Sequence, residues 1–355
     1  YAKNPPRNVY GEAPFADPND WTTTNEKYFE HADWVLRKAA EYRMTVLLFP
    51  AYLGYDGREK GSEDGFVREL MATGPEKSLA YGRFLGKRYR DFDKIIWVMG
   101  GDRDPGPARE NVDMVAYGIR EFDQRHLFTA HCHSESSPAS QYPSSSWLDI
   151  SNTYSYFLVH LALTWDYNRK PVRPTFLLES VYEGETQFAS ELQMRRQAYW
   201  SVLCGGFGHV MGNNPLWNFG PGWQAAMDAP GSVGMVHWGE LFRSRRWFEL
   251  VPDQDHKVVT AGLGELWGLD LVTAAATPTG NMIIAYMTSA RTISVDLAKM
   301  PKGQARAWWF NPRDGKATEA GTFPTDGVKQ FTPPGDGDWA LVLDDAALQL
   351  PAPGK

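Results

Sequence analysis

Short runs that are apolar throughout alternate with stretches of helical period along most of the 355-residue chain. This alternation restricts the fold more than any other feature. Met44–Pro50, Lys94–Met99, Leu127–Cys132, Leu148–Tyr154, Thr175–Glu179 and Gly206–Met211 read as strands. A strand without polar alternation is buried on both faces, as in a parallel sheet covered by helices. Helices are expected at Trp21–Tyr42, where Thr23 and Glu26 have capping-box spacing, and at Pro75–Tyr89. Two more are marked by Val112, Val115, Ile119 and Phe122, and by Phe188, Leu192, Tyr199 and Val202. Short links between the two kinds of element point to βα crossovers. There is no Gly-x-Gly-x-x-Gly and no Gly-rich loop carrying Lys, so the pattern reads as a (β/α)8 barrel rather than a Rossmann fold. Six barrel strands are legible, after a loop-like Asn4-Pro5-Pro6 opening.

The pattern changes after Pro252. Leu269–Ala276, Met282–Met287, Thr292–Leu297, Ala305–Phe310 and Trp339–Leu343 are short strand-like runs. Thr279-Gly280-Asn281, Lys302-Gly303 and Asp314-Gly315 supply the turns between them. The expected organisation is a barrel domain over residues 1–254, a small all-β antiparallel sandwich over 255–349 and a tail over 350–355.

Composition narrows the function. The chain has 36 Lys and Arg against 43 Asp and Glu, a formal net charge of −7. An acidic chain with no long basic run is a poor ligand for nucleic acid or an anionic membrane surface. No apolar stretch reaches the ~18 residues that a spanning helix needs. Cys132 and Cys204 sit inside apolar runs and form neither a disulfide framework nor a metal-finger spacing. The 14 Trp and 16 Tyr residues offer many flat faces of the kind that sugar rings stack on. Nothing in the residues marks an oligomeric state or a cofactor.

Catalytic groups of a βα barrel lie at the carboxyl ends of its strands. Those ends carry Asp102, His131 with His133, Tyr154 with Tyr156, and Glu179, with Asn213, Asn214 and Trp217 after the last strand. Asp102 follows two glycines and reads as a general acid/base, against a helix N-cap or a partner for Arg103. Glu179 closes an apolar strand and reads as a nucleophile, against an ion pair with Arg173 or Arg195; Glu183 is a substitute candidate four residues on. His131 and His133 share a strand face by period two. Their spacing also suits a metal, but no further ligand set is evident, and a sugar-binding or orienting role is favoured. Tyr154, Tyr156, Trp165 and Trp217 read as stacking platforms or as rim packing, and Trp97 as core.

The chain resembles the apiosidase-like glycoside hydrolase family, in which a (β/α)8 catalytic domain precedes a small β domain labelled collagen-binding. The resemblance rests on Asn8–Phe15 (NVYGEAPF), Tyr28–Trp34 (YFEHADW), Ile96–Asp102 (IWVMGGD) and Leu178–Gly184 (LESVYEG). It continues in Arg306–Gly315 (RAWWFNPRDG) and Asp338–Leu343 (DWALVL). It implies that Asp102 ends the fourth barrel strand and Glu179 the seventh, the acid/base and nucleophile positions of similar barrels. It also implies that the first two βα units, with a Gly-Asp-Thr-like stretch, fall before residue 1. The function so implied is hydrolysis of a glycosidic bond in a plant or microbial saccharide, by a retaining pair Asp102 and Glu179. His131, His133, Tyr154, Tyr156, Trp165, Asn213 and Trp217 would bind the carbohydrate, with no metal or cofactor. The resemblance alone favours a secreted or periplasmic protein. A metal-dependent hydrolase built on His131 and His133, and a non-catalytic carbohydrate-binding protein, are the alternatives.

Overall fold

A hairpin takes the place of the first turn of the expected helix at Trp21. In the computed structural model, which describes residues 6–55, 65–185 and 189–355, β1 (Phe15–Asp17) pairs antiparallel with β2 (Asp20–Thr24). Three successive threonines favour extended backbone, and the Thr23 hydroxyl is spent on the Asp20 carbonyl, 2.7 Å away. Helix α1 (Glu26–Glu41) therefore starts at Asn25, whose side chain accepts from Lys27 N. The capping box expected at Thr23 and Glu26 is not formed, because Asn25 is the N-cap. The loop at Asn4 and Pro5, and Phe188, lie outside the described residues.

The chain forms two compact units, Tyr1–Tyr154 and Ser155–Lys355. In the first, β3 (Val46–Leu48), β4 (Ile95–Gly100) and β5 (Leu127–His131) make a parallel sheet in that order. Between them run α2 (Val67–Thr73), α3 (Pro75–Tyr89) and α4 (Arg109–Arg120); α5 (Pro138–Gln141) and β6 (Thr153–Tyr154) follow. The strand expected at Leu148 is thus only two residues long. Strand β4 is buried nearly throughout, as its apolar run requires, whereas β3, at one edge of this sheet, is half-buried. Register puts Gly100 opposite His131, which fixes what lies beyond both strand ends. Trp97 is fully buried, and its indole donates to Asp123 Oδ2 at 2.8 Å. Asp123 also accepts from His126 N and lies 2.7 Å from His126 Nδ1. Burial opposes ionisation of this carboxyl, but the hydrogen bonds outweigh it and hold Asp123 down at about 2.

The second unit opens with α6 (Val159–Asn168), β7 (Leu177–Glu179) and α7 (Glu191–Leu203), then the short α8 (Trp223–Ala226) and α9 (Pro230–Arg243). The run at Gly206–Met211 meets β7 in one isolated parallel bridge, Leu177 opposite His209, and a second parallel bridge beyond both sets Glu183 opposite Asn213. Beyond it come β8 (Val251–Pro252), β9 (Val259–Ala261), β10 (Thr273–Ala276), β11 (Met282–Met287) and β12 (Ile293–Asp296). They are followed by β13 (Gln304–Phe310), β14 (Ala317–Pro324), β15 (Val328–Phe331) and β16 (Trp339–Asp345). These strands form two antiparallel sheets, β14-β13-β16-β11-β10-β8 and β15-β12-β9.

Strand β11 is buried on both faces. Ile283, Ala285 and Met287 join the core between the two sheets with Ile293, Val295 and Phe331. Met282, Ile284 and Tyr286 join a second core with Tyr199, Trp200, Leu241 and Phe242 of α7 and α9. Tyr199 and Tyr286 stack at 4.2 Å with their planes 9° apart. The polar fixings at this contact are buried. Arg195 of α7 donates to both oxygens of Asp338 at 2.8 and 3.0 Å, and Tyr286 adds a third bond at 3.0 Å. Arg245, just past α9, forks onto Asp344 at 2.8 and 2.9 Å. No helix among the described residues is long and apolar enough to cross a membrane.

Two outcomes follow from these buried charges. Asp338→Ala strands the Arg195 guanidinium and is expected to cost about 3–5 kcal/mol in urea unfolding; a loss below 1 kcal/mol would show that water re-solvates the site. For Asp123, a folded value of about 2 against the ordinary 3.8 means stability present above 3.8 and lost as pH falls toward 2. The unfolding free energy of the wild type relative to Asp123→Asn is therefore expected to shrink by about 2 kcal/mol between pH 5 and pH 2. A gap independent of pH would mean that the carboxylate is not held as described.

Candidate active site

Asp102 is presented by backbone that ordinary residues avoid. Gly100, Gly101 and Asp102 have φ of +76°, +147° and +54° in succession. At Gly101 a Cβ would lie 2.3 Å from the Tyr52 ring, so both the conformation and the packing demand glycine. The turn brings the Gly101 amide onto the His131 carbonyl at 2.9 Å and the Asp102 amide onto His131 Nδ1 at 3.2 Å. The Tyr154 hydroxyl donates to Asp102 Oδ1 at 3.1 Å. His131 lies between the Phe49 and Tyr154 rings, with centroids at 5.9 and 4.9 Å. Asp102, His131 and Tyr154 thus form one group, and Asp102 caps no helix.

The two histidines differ. Strand β5 stops at His131, so His133 sits past its end and the shared-face argument does not reach it. His133 Nδ1 meets the Ser134 carbonyl at 2.8 Å, and its amide donates to Asp104 Oδ1 at 3.2 Å. A neutral imidazole has one in-plane lone pair. In His131 that lone pair accepts from the Asp102 amide, so its Nε2 carries the proton and is a donor. A metal would have to displace this bond before His131 could ligate it.

Glu179 ends β7 in the second unit. The Tyr156 hydroxyl donates to Glu179 Oε1 at 3.1 Å. Burial first, then the Glu179 charge, pushes the Tyr182 phenol well above its ordinary range. Burial and Glu179 also push the Glu185 carboxyl up. Donation by a phenol stabilises a carboxylate over a carboxylic acid. Arg195, a possible partner for Glu179 on sequence grounds, is bound to Asp338 instead.

The backbone around Glu179 is clamped by both neighbouring helices. Gln197 of α7 accepts from the Ser180 hydroxyl at 3.0 Å and donates to the Val181 carbonyl at 2.9 Å. Glu183 is buried and serves α9. That helix begins at Ala229-Pro230, which supply no capping side chain. The Gly231 and Ser232 amides donate instead to Glu183 at 2.6 and 3.1 Å, so this carboxylate caps the helix from 48 residues away. Asn213 Nδ2 donates to Glu183 Oε2 at 3.0 Å, which orients its amide and leaves Asn213 Oδ1 buried without a partner among the described residues.

A pocket of about 200 Å3 adjoins this group, walled by Leu178, Tyr182, Val210, Asn213, Leu216 and Trp217. Trp217 is half-exposed there, at 46%. Trp165 stands apart: it is 62% exposed on α6 and makes no ring contact or hydrogen bond with Tyr156, Glu179 or Asn213 among the described residues. Tyr182 and Gln197 are the residues that sequence reasoning passed over. Tyr182 lies inside the LESVYEG segment, but nothing in the spacing separates it from a packing tyrosine.

The family described as "Apiosidase-like, catalytic domain" matches residues 1–249. The chain belongs to the apiosidase-like family. A second family, described as "Putative collagen-binding domain of a collagenase", matches residues 251–344. Among solved structures, a protein named "Glycoside hydrolase" has a TM-score of 0.83 at 25% identity over 96% of this chain and 83% of its own. A family 5 glycoside hydrolase from Bacteroides vulgatus gives the same TM-score and identity over 96% and 80%. No curated protein matches. This apiosidase-like chain is a glycoside hydrolase, and its substrate is a carbohydrate.

The structural role of Glu183 is testable. Glu183→Gln removes the charge at the α9 N-terminus and turns an NH2 donor toward other donors, and is expected to cost about 2 kcal/mol in thermal or urea unfolding. A variant as stable as the wild type would free Glu183 for another role.

Proposed function

We propose that this enzyme hydrolyses a glycosidic bond in a plant or microbial polysaccharide or oligosaccharide by the retaining route. Asp102 is the acid/base and Glu179 the nucleophile. The observation that carries the reading is the setting of Glu179: a strand-end carboxylate with a phenol donor, beside a pocket with an indole wall. A nucleophile must be ionised, and this environment favours the ion. The fold proposed for residues 1–254 is a (β/α)8-type barrel, supported by the parallel β3-β4-β5 sheet and the parallel bridges of β7. The sandwich over 255–349, with a tail over 350–355, serves as its support, consistent with the buried pairs Arg195–Asp338 and Arg245–Asp344.

In the first step a Glu179 oxygen attacks the anomeric carbon. The bond to the leaving oxygen breaks, and that oxygen takes the Asp102 proton. In the second, water attacks the same carbon and gives its proton to Asp102, while the bonding pair returns to Glu179. The Tyr154 bond holds Asp102 Oδ1. His131 and Tyr154 orient Asp102 beside the sugar. Tyr156, Asn213 through Oδ1, and Trp217 through its ring contact the sugar, and His133 and Trp165 are the outlying members of the binding set.

Aryl glycosides and plant and microbial oligosaccharides provide the test, with product anomers followed by NMR. Glu179→Gln and Asp102→Asn are each expected to lower kcat/KM by about three orders of magnitude or more, with a retained first product and no effect of chelator. Inversion would sink the nucleophile assignment. Loss of activity on chelation, restored by metal, would move the chemistry to His131 and His133.

A further inference from the structure

We propose that the loop around Trp267 in the sandwich is an outer sugar-binding site, where the indole stacks on a ring of an oligosaccharide substrate beyond the bond being cleaved. The inference rests on the substrate being a saccharide. It does not depend on which carboxylate is the nucleophile.

The residues at the corners of this loop are the wrong ones for folding. The Gly268 amide donates to the Glu265 carbonyl at 2.9 Å, closing a turn with Leu266 and Trp267 at its two corners. Turn corners ordinarily take Gly, Pro, Asn, Asp or Ser, which tolerate the bend and suit water. Here they carry two large apolar side chains. Trp267 is 69% exposed, the most of any tryptophan among the described residues, and Leu266 and Leu269 are half-exposed. An indole so placed adds little to the core.

The loop is nonetheless held on every side. Asp270 accepts from the Glu265 amide at 3.2 Å and from Arg291 at 3.0 Å, and the Val272 amide donates to the Leu263 carbonyl at 2.7 Å. Gly264 has φ of +77°, and a Cβ there would lie 2.6 Å from the Asp270 carbonyl oxygen, so the loop closes only on glycine. Two helices of the same unit grip it from outside. His160, buried near the start of α6, donates through Nε2 to the Leu266 carbonyl at 2.7 Å. Arg196 of α7, also buried, donates to the Leu269 carbonyl at 3.0 Å. A platform ordered before binding loses little conformational entropy when a ligand docks.

The same two helices adjoin the candidate nucleophile. Tyr156, which donates to Glu179, and the exposed Phe157 lie just before α6, and Phe157 precedes His160 by three residues. On α7 the polar contacts run on from Leu269. Arg196 donates to Gln193, Gln193 donates to Gln197 Oε1 at 3.3 Å, and Gln197 holds the Val181 carbonyl at 2.9 Å. The occupant follows from this setting. The substrate is a carbohydrate, and a flat amphipathic indole matches the apolar face of a sugar ring. A second copy of the chain fits worse, because a stable protein interface draws on roughly 20–30 residues a side. The exposed apolar groups here are confined to one short loop.

Protein labelled with fluorotryptophan gives the direct readout. Its Trp267 signal is assigned as the one missing in Trp267→Phe. 19F spectra are then recorded with each plant or microbial oligosaccharide of the activity panel and with the aryl glycosides. The Trp267 signal is expected to shift with at least one oligosaccharide and to stay in place with the aryl glycosides. Trp267→Ala is expected to lower the ratio of kcat/KM on that oligosaccharide to kcat/KM on the aryl glycoside about five- to tenfold, mainly through KM. Trp267→Tyr, which keeps a stacking face, should retain most of the ratio. A Trp267 signal that no oligosaccharide moves overturns the inference, and so does a ratio in Trp267→Ala equal to that of the wild type. If no oligosaccharide is cleaved, the spectra alone decide. A wild type that sediments as a dimer beside a monomeric Trp267→Ala would give the loop to a second copy and also overturn it. Full activity in Glu179→Gln sinks the nucleophile reading instead and leaves the Trp267 result standing.

Discussion

Two arginines cannot be left alone in apolar surroundings, and much of the second unit follows from that. The side chains of Arg195 and Arg245 are 6% and 0% exposed, and each is answered by an aspartate from the β sheet. An unpaired buried guanidinium costs several kcal/mol, so α7 and the end of α9 require strand β16 and its approach. The requirement reaches the chemistry in few steps. Arg195 and Gln197 are two residues apart on α7, and Gln197 grips Ser180 and Val181. Those residues lie between Glu179 and Tyr182. The polar chain from Asp338 to the candidate nucleophile therefore runs through one helix, and the α9 cap on Glu183 holds the same loop from its other side.

Much of the fold was legible because its strands are apolar without interruption. Ile95–Gly100 and Met282–Met287 could be read from their residues, since a run buried on both faces has no polar member to confuse the signal. The unread elements lack any such contrast. Helix α9 is broken up by Gly231, Gly234 and Gly239 and has no cap of its own. Strand β14 is an edge strand, largely exposed, whose Thr, Glu and Gly residues read as loop.

The candidate site was legible to the extent that strand ends could be found. Asp102 and Glu179 mark themselves by following apolar runs. Their neighbours do not, because the contacts come from turns that spacing cannot describe. The amide-to-imidazole bond of His131 depends on three successive positive φ angles, and period two says nothing of it. Glu183, four residues from Glu179 and identical in type, is distinguished by meeting a helix N-terminus 48 residues later. Carboxylates of the same kind take different duties according to which donors tertiary structure turns toward them.

The two-sided burial of β11 bears on how such proteins arise. A module that passes between genes must carry a surface water tolerates. This sheet does not: Ile284, Tyr286, Trp308, Phe310 and Val342 are apolar on the side away from its own sandwich core, with two carboxylates embedded among them. Transplanted alone, it would expose a sticky face with misplaced charges. The heritable piece is the sheet together with α7 and α9, so recombination that cuts between them should leave few viable descendants.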